Sequence, residues 1–450
     1  MKNFCIAALL TMFTFTVALL AEPVESPEPQ DFTLVELSEE VKSLRDRLRQ
    51  IEALLAKKLE AGSETASATA DAEPPEDTAL EPVRNQIRVV DVAVTDAEPQ
   101  SDEVIGPAST GGQVLSITGL LDTYYTTNLN HPEGGTNTLY YTNPNARGFG
   151  LNQAKLEIDA SGDGPIGFRS DIWFGSGARL FREGLEPGPL EDVLYLQQAY
   201  GYYQWDNGAE LDMGLFGTIA GLEVAESHLN WNYSRGILWA WNEPFSHLGA
   251  KLSVPLTDTF TSTVMLVNGF DNAFDQNSGK SYGLQGSWAP SDRFNTTLTW
   301  INGPENTLSN QGWQKDLSWN FYAGIHEKFE VMANLDYIQA NDATSSATSW
   351  GMGYYARLSP TEKFRIASRY EFLNDEDARS TGVNQNLKEF TLTFEYAPEP
   401  RFITRLEYRR DWSDVNFFPR GAFGPGGEPT LVSDQDTLTL AFMWIFGPKE

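Results

Sequence analysis

Most of the chain alternates between apolar and polar side chains. From Gln113 to Glu450, segments of about ten residues follow this pattern and end in turn-forming residues. The segment EFTLTFEY at 389–396 is typical, with Phe, Leu, Phe and Tyr at every second position. Because successive side chains of a strand point to opposite faces, the pattern predicts strands with one apolar and one polar face. The polar faces carry charges and the apolar faces carry aromatic residues near strand ends, which favours the wall of a membrane barrel over a soluble sandwich.

The connections between these segments predict the number of strands. Seven are tight turns, at 161–164, 205–208, 256–259, 290–293, 325–328, 360–363 and 398–401. Eight are longer polar loops, near 130–149, 176–191, 217–245, 269–279, 302–312, 340–347, 374–385 and 412–433. Together they predict a sixteen-stranded antiparallel transmembrane β-barrel over 113–450, with both chain ends on the side of the short turns. A barrel of this size is wide enough for an aqueous channel.

The N-terminal region has a different pattern. Lys2, the apolar stretch 4–20 and a cleavage site after Ala21 predict a signal peptide at 1–21, with an uncleaved anchor as the alternative. The single cysteine, Cys5, lies within this peptide, so we expect no disulfide and no thiol chemistry after cleavage.

A heptad pattern then predicts a coiled-coil helix at 32–60. Its aliphatic seam is the candidate oligomerisation surface and consists of Leu34, Leu37, Val41, Leu44, Leu48, Ile51 and Leu55. The alternative is a lone amphipathic helix docked on another surface, and the pattern does not choose between two and three strands. Residues 61–112 are acidic and rich in proline, which predicts a disordered linker. A short strand at 86–94 is an alternative for part of it.

Composition limits the function classes. The net charge is −30, which argues against nucleic acid as a partner. Only 41% of the residues are hydrophobic, which excludes a bundle of apolar transmembrane helices. Aromatic residues make up 12% of the chain, as suits an outer-membrane barrel.

The third loop, 217–245, is the longest connection and is unusually aromatic. Exposed to water, these side chains would form an apolar patch, so we expect the loop to pack inside the barrel. The alternative is that part of it extends the barrel wall. The candidate constriction residues are Trp231, Tyr233, Arg235, Trp239 and Trp241.

Several segments carry a resemblance to a known family. They are ESHLNWNYSR at 226–235, PFSHLG at 244–249, VNGFDN at 267–272 and NSGK at 277–280, with GLLDTYY at 119–125 and SDQDTLTL at 433–440. Over nearly all of 113–446 the chain resembles the OmpL-like β-barrel porins. The resemblance implies an outer-membrane porin. It also implies a third loop that narrows the pore and a trimer, since sixteen-stranded porins are commonly trimeric.

The polar strand faces supply candidate pore-lining residues. With the aromatic face outward, these point inward: Lys155, Glu157, Asp159, Arg169, Asp171, Arg365, Arg369, Glu389, Glu395, Arg405 and Arg409. Basic groups facing acidic ones would set a transverse field that orients polar solutes. The alternative is that the charges pair and only hydrate the wall.

Catalytic and metal motifs are weak. His228 and His247 lie near Ser227, Ser234 and Ser246, so a serine hydrolase is one alternative, but no spacing fixes a nucleophile beside a base and an acid. The acidic run 375–377 is interpreted as a solvated surface, with a weak divalent-cation site as the alternative. We therefore expect no enzyme activity, no cofactor and no metal.

The sequence thus predicts an outer-membrane porin for passive or weakly selective diffusion of small polar solutes. The alternative is a barrel anchor that tethers the outer membrane to the cell wall through its periplasmic coiled coil. The expected partners are outer-membrane lipid, small polar solutes and further copies of the chain, and the helix is a candidate cell-wall contact.

Overall fold

The computed structural model describes residues 114–162, 164–180, 194–272, 275–341, 345–424 and 427–447. The predicted signal peptide, coiled-coil helix and linker lie outside the described residues. So do the heptad positions from Leu34 to Leu55 and the alternative strand at 86–94. These interpretations remain predictions.

Sixteen strands form one closed antiparallel barrel, so the predicted fold is confirmed. Each strand pairs with its neighbours along the barrel, and the last strand pairs with the first. The barrel strands are β1 (Val114–Asn128), β2 (Arg147–Ser161), β3 (Ile166–Phe174), β4 (Leu194–Gln204), β5 (Glu210–Gly217), β6 (Ser246–Thr257), β7 (Phe260–Val267), β8 (Ser281–Ser291), β9 (Phe294–Pro304), β10 (Trp313–His326), β11 (Phe329–Asn341), β12 (Ser346–Leu358), β13 (Phe364–Asp375), β14 (Gln385–Glu399), β15 (Phe402–Ser413) and β18 (Asp434–Phe446).

The long connections contain elements that the alternation pattern did not predict. The last loop forms a separate hairpin of β16 (Phe418–Phe423) and β17 (Pro429–Val432). A short helix α1 (Ser176–Leu180) follows β3, and the third loop holds a 3₁₀ turn (Ser227–Leu229) and a helix α2 (Ile237–Asn242). Among the residues that the structure describes, no helix has the length and apolar character needed to cross a membrane.

Burial in the barrel wall is the reverse of that in a water-soluble protein, because large apolar side chains are exposed and charged side chains are buried. Phe394 is 39% exposed, whereas its neighbour Glu395 is only 6% exposed. Tyr370 and Phe390 pair across β13 and β14 and are both exposed. Large apolar side chains that cover the outside of a closed barrel are the pattern expected for a wall in contact with lipid.

The two ends of the barrel differ in their connections. Short turns join the strands at the end that carries both termini of the barrel, which we call the turn end. The long connections, including the third loop and the β16–β17 hairpin, emerge at the opposite, loop end. An even number of strands requires this arrangement, because it returns the chain to the end where it began.

Candidate functional site: the lumen and the third loop

The third loop lies inside the barrel. The Ile219 carbonyl accepts hydrogen bonds from Gln285 of β8 and Thr299 of β9, and the Gly221 amide donates to Ser318 of β10. Farther along the loop, its side chains and backbone contact β1, β2, β13 and β15. Strands on opposite sides of the barrel can contact one segment only if that segment crosses the lumen.

Three buried arginines of β13 and β15 bind the loop, and we call this region the arginine wall. Arg369 Nη1 donates to the carbonyl of Ser234 at 2.6 Å and pairs with Glu223 at 2.7 Å, while its Nε donates to Glu389 at 2.9 Å. The same guanidinium therefore joins a wall carboxylate to a loop carboxylate.

The other two arginines hold neighbouring stretches of loop backbone. Arg405 donates to the carbonyls of Ser227 and Asn230 at 2.6 and 2.7 Å and pairs with Glu395 at 2.7 Å. Arg409 donates to the Arg235 carbonyl at 2.6 Å and pairs with Asp411 at 2.8 Å. Charge-assisted bonds of this kind are stronger than neutral ones, so they fix the path of the loop.

Carboxylates on the same wall accept hydrogen bonds from loop amides. Glu407 accepts from the amides of Tyr233 and Ser234, at 2.5 and 2.9 Å. Glu371 accepts from the amides of Ile237 and Leu238, where α2 begins. A Cβ at Gly236 would lie 2.1 Å from Glu371 Oε1, so glycine allows the backbone to approach this carboxylate.

Across β18 and β1 from the arginine wall, a lysine ties the loop to β2 and β3. Lys155 Nζ lies 2.7 Å from Glu157 and 3.2 Å from Asp171, and it also pairs with Glu226 of the loop. Carboxylate oxygens of these three acids lie within 4.8 Å of one another, a spacing that could hold a metal ion. The Lys155 ammonium already lies among them and supplies the positive charge. Burial raises the pKa of Glu226, but the attraction of Lys155 outweighs it and lowers the pKa to about 2.

The aromatic residues of the third loop pack against the lumen. Tyr233 donates to Asp122 of β1 at 2.9 Å, and Trp239 packs edge-to-face against Tyr141 at 6.0 Å between ring centroids. Arg357 of β12 lies over the Trp231 ring at 4.5 Å. Trp241 contacts Tyr141 at 6.4 Å, and Arg235 lies 5.9 Å from the Trp239 ring. This packing explains why a connecting loop carries so many aromatic side chains.

The predicted pore-lining residues fall into two groups. Glu157, Arg169 and Arg365 keep 31%, 30% and 35% of their side chains exposed, and Asp159 is half-buried and accepts a hydrogen bond from Tyr202. The other seven are covered, most of them by the third loop, and they are Lys155, Asp171, Arg369, Glu389, Glu395, Arg405 and Arg409. Most of these seven therefore hold the loop in place instead of facing open lumen, because the loop fills the space in front of them.

A second buried loop is a feature that the sequence reasoning missed. The first loop, 129–146, enters the barrel with Leu139, Tyr140 and Tyr141. Arg409 lies 4.4 Å from the Tyr140 ring, and Leu139 packs against Leu373. The adjacent aromatic residues in LYYTN at 139–143 are the same signal that identified the third loop, so the pattern could have revealed this one.

The hydrolase alternative finds no support in the described part of the chain. His247 bonds Thr218 and the Gly269 carbonyl, and Ser227 donates to Asp122. Ser234 contacts Arg369. Burial lowers the pKa of His228 to about 4, and its Nδ1 has no hydrogen-bond partner. No serine is hydrogen-bonded to a histidine among these residues.

Two further features complete the lumen. A cavity of about 1080 Å³ lies between the loop and the turn end, lined by Glu157, Arg169, His228, Lys251 and Arg401 among others. Near β10 and β11, three carboxylates lie together, and no lysine or arginine among the described residues forms an ion pair with them. They are Asp316, Asp336 and Glu243, and we call them the acidic cluster.

Solved structures with a similar fold are outer-membrane proteins. The anion-selective porin from Comamonas acidovorans matches with a TM-score of 0.52 and 9% identity, over 74% of this chain and 100% of its own. The outer-membrane channel DcaP of Acinetobacter baumannii matches with a TM-score of 0.52 and 10% identity, over 76% and 100%. OmpT of Vibrio cholerae matches with a TM-score of 0.51 and 10% identity, over 75% and 99%. At these identities the likeness shows the fold alone.

Sequence comparison identifies the family. No curated protein matches the chain. A family model described as "Putative beta-barrel porin-2, OmpL-like" matches residues 114–446, which is nearly the whole barrel. The chain therefore belongs to this family of outer-membrane β-barrel porins.

Proposed function

We propose that this porin is an aqueous channel for passive or weakly selective diffusion of small polar solutes, and that the third loop sets its narrowest point. The observation that carries the proposal is the anchoring of the loop at separate parts of the barrel wall, through Thr299 of β9, through the arginine wall and through Lys155 of β2. A loop held at several points narrows the opening by a fixed amount.

The side chains that remain exposed in the lumen support polar solutes. Glu157, Arg169 and Lys251 line the cavity at the turn end, and Arg365 lies near the same end on β13. Both charge signs are present, and Arg169 pairs with Asp171 while Lys251 pairs with Asp212. Paired charges attract water and polar groups without strongly favouring one sign of ion, which fits weak selectivity.

Single-channel recording in planar bilayers tests the proposal. Replacing 230–239 by a short Gly/Ser linker should raise the conductance, because this stretch contacts both Arg405 and Glu371 in the lumen. The matched control shortens the β16–β17 hairpin next to the exposed Phe423, which should leave the conductance near the wild-type value. Unchanged conductance in a correctly folded loop variant would contradict the proposed constriction.

We also infer that the protein is not an enzyme, which the bonding of Ser227, Ser234 and His247 within the lumen network supports. The membrane orientation follows from the same proposal: the turn end, the predicted helix at 32–60 and the linker at 61–112 face the periplasm, and the loop end faces outward. A lack of ester hydrolysis by the purified porin, with Ser227→Ala and His228→Ala unchanged in conductance, is the expected result.

We further propose a homotrimer, held partly by the predicted helix at 32–60. The aliphatic seam needs a partner to bury it, and tethering to the membrane raises the effective concentration of the helices. The alternative partner is the cell wall, which would make the protein a tether. Leu44→Asp with Leu48→Asp should reduce the mass measured in mild detergent, whereas a monomeric wild type would exclude the trimer.

A further inference from the structure

The acidic cluster lies where the third loop meets β10 and β11. Asp316, Asp336 and Glu243 are 1%, 0% and 7% exposed. Ser318, two residues beyond Asp316 on the same face of β10, pairs in register with Asp336. The register places the two aspartates on one face of neighbouring strands, within reach of the same small space.

Asn334 connects the cluster to the loop. Its Nδ2 lies 2.7 Å from Asp336 Oδ2 and 3.5 Å from Oε1 of Glu243, which follows α2. The cluster therefore contains one carboxylate from the loop and two from the wall.

No positively charged side chain contacts these three carboxylates in the part of the chain that the structure describes. Arg379 is the charged neighbour that attracts Asp316, but its Nη2 donates to Gln314 at 2.6 Å and it makes no ion pair with Asp316. A buried carboxylate without a partner is costly, so such a group takes up a proton or a cation.

The cluster also has a surplus of acceptor oxygens. Both carboxylate oxygens of Asp316 lack a hydrogen-bond donor, as do Oε2 of Glu243 and Oδ1 of Asp336. The Asn334 amide turns its nitrogen towards Asp336 and Glu243 and its oxygen towards Gly353 of β12, so the acceptor oxygens of the cluster are those of its carboxylates.

We propose that the acidic cluster binds a hard divalent cation, of the Mg²⁺ or Ca²⁺ class, which links Glu243 of the third loop to Asp316 and Asp336 of the wall. Carboxylate oxygens are ligands that these ions prefer. A divalent ion balances most of the charge of three carboxylates, and Arg379 faces the remainder. The site joins the loop to the barrel and does not depend on which solute passes the channel.

In the lysine-centred cluster at Lys155, elsewhere in the lumen, a lysine of the chain itself neutralises converging carboxylates. There, three acids converge within 4.8 Å and a lysine supplies the charge. The oxygens of the acidic cluster are spaced more widely, so a bound ion would keep part of its water shell, as Mg²⁺ commonly does.

Thermal unfolding of the full chain in detergent tests the proposal with the metal alone as the probe. After treatment with EDTA, millimolar MgCl2 or CaCl2 should raise the Tm by about 2–4 °C over NaCl at equal ionic strength, because ligands that bind only the folded state stabilise it. A wild type whose Tm responds equally to NaCl and to divalent salts would overturn the proposal.

Two cluster variants and a matched control locate the site. Asp336→Asn should abolish the divalent-specific shift, and so should Asp316→Asn, whose carboxylate makes no hydrogen bond and can be replaced without breaking one. Asp377→Asn, at an exposed position of the loop after β13, should keep the shift. A shift that persists in Asp316→Asn but is lost in Asp377→Asn would place the ion at the surface and contradict the proposal. A Tm raised only by acid would show that the cluster holds a proton instead.

Discussion

The arginine wall and the acidic cluster hold the same loop by different means. Arg369 lies between Glu389 of the wall and Glu223 of the loop, so each buried charge has an opposite charge in contact. Asp336 and Glu243 meet two strands away, at β11, where both contact the Asn334 amide and no cationic side chain among the described residues pairs with them. The ion pairs of the arginine wall are balanced by residues of the chain itself, whereas the acidic cluster needs a group from solution.

Removing a buried charge therefore has different energetic consequences in the arginine wall and in the acidic cluster. Removing a partner from a buried ion pair leaves a charge without compensation, which costs about 3–5 kcal/mol. Removing a carboxylate that has no partner relieves a cost instead. Substitutions that remove a charge from the arginine wall and from the acidic cluster should therefore have opposite effects on the free energy of unfolding in the absence of divalent ions.

The largest effect is expected at Arg369. Its replacement by alanine leaves Glu223 and Glu389 buried without their cation and removes the bond to the Ser234 carbonyl. We expect a loss of about 3–5 kcal/mol in the free energy of unfolding, measured by denaturant titration in lipid or detergent.

The matched change in the acidic cluster is Asp316→Asn in the presence of EDTA. It should leave the unfolding free energy unchanged or raise it by up to about 1 kcal/mol, because no hydrogen bond to Asp316 is lost. Equal destabilisation by Arg369→Ala and Asp316→Asn would show that the arginine wall and the acidic cluster do not differ in this way.

A further prediction removes the charge balance of the lysine-centred cluster at Lys155. Lys155→Gln removes the ammonium from the three carboxylates of Glu157, Asp171 and Glu226, whose oxygens already lie within 4.8 Å. We expect the variant to be less stable and to gain a new rise in Tm with CaCl2, larger than that of the wild type, because the oxygens are close enough to bind one ion.

The control for this prediction is Lys251→Gln. Lys251 pairs with a single carboxylate, Asp212, at 2.8 Å, so its removal leaves too few ligands for a divalent ion. The Ca²⁺ response of this variant should equal that of the wild type. The same response in both lysine variants would indicate non-specific binding to the acidic chain.

Alternation along the strands was enough to predict the barrel, its sixteen strands and the inward face. Residues 389–396 show why: their outward aromatic and inward polar side chains differ at every step. The aromatic residues of the third loop likewise indicated that it packs inside. These are local signals, and each can be read from a few neighbouring residues.

The arrangement within the lumen could not be predicted in this way. Glu371 and Glu407 bind the loop backbone, and Asp316 and Asp336 meet Glu243, through contacts between residues far apart in the chain. The prediction that Arg369 and Arg409 point inward did not include the loop that covers them, because a strand pattern gives the side of the wall but not what lies in front of it.

The smallest predicted effect concerns Trp231, which contacts β12 between the arginine wall and the acidic cluster. Trp231 lies under the Arg357 guanidinium at 4.5 Å, and Arg357 also pairs with Glu330 at 2.8 Å. Because the ion pair remains, Trp231→Leu should remove mainly the cation–π attraction and part of the ring packing, with a loss of about 1 kcal/mol in the free energy of unfolding. Arg357→Lys keeps the charge and serves as the comparison, since it weakens both contacts. If Trp231→Leu were as damaging as Arg369→Ala, the loop would be held by its aromatic packing and not by the charged contacts of the arginine wall.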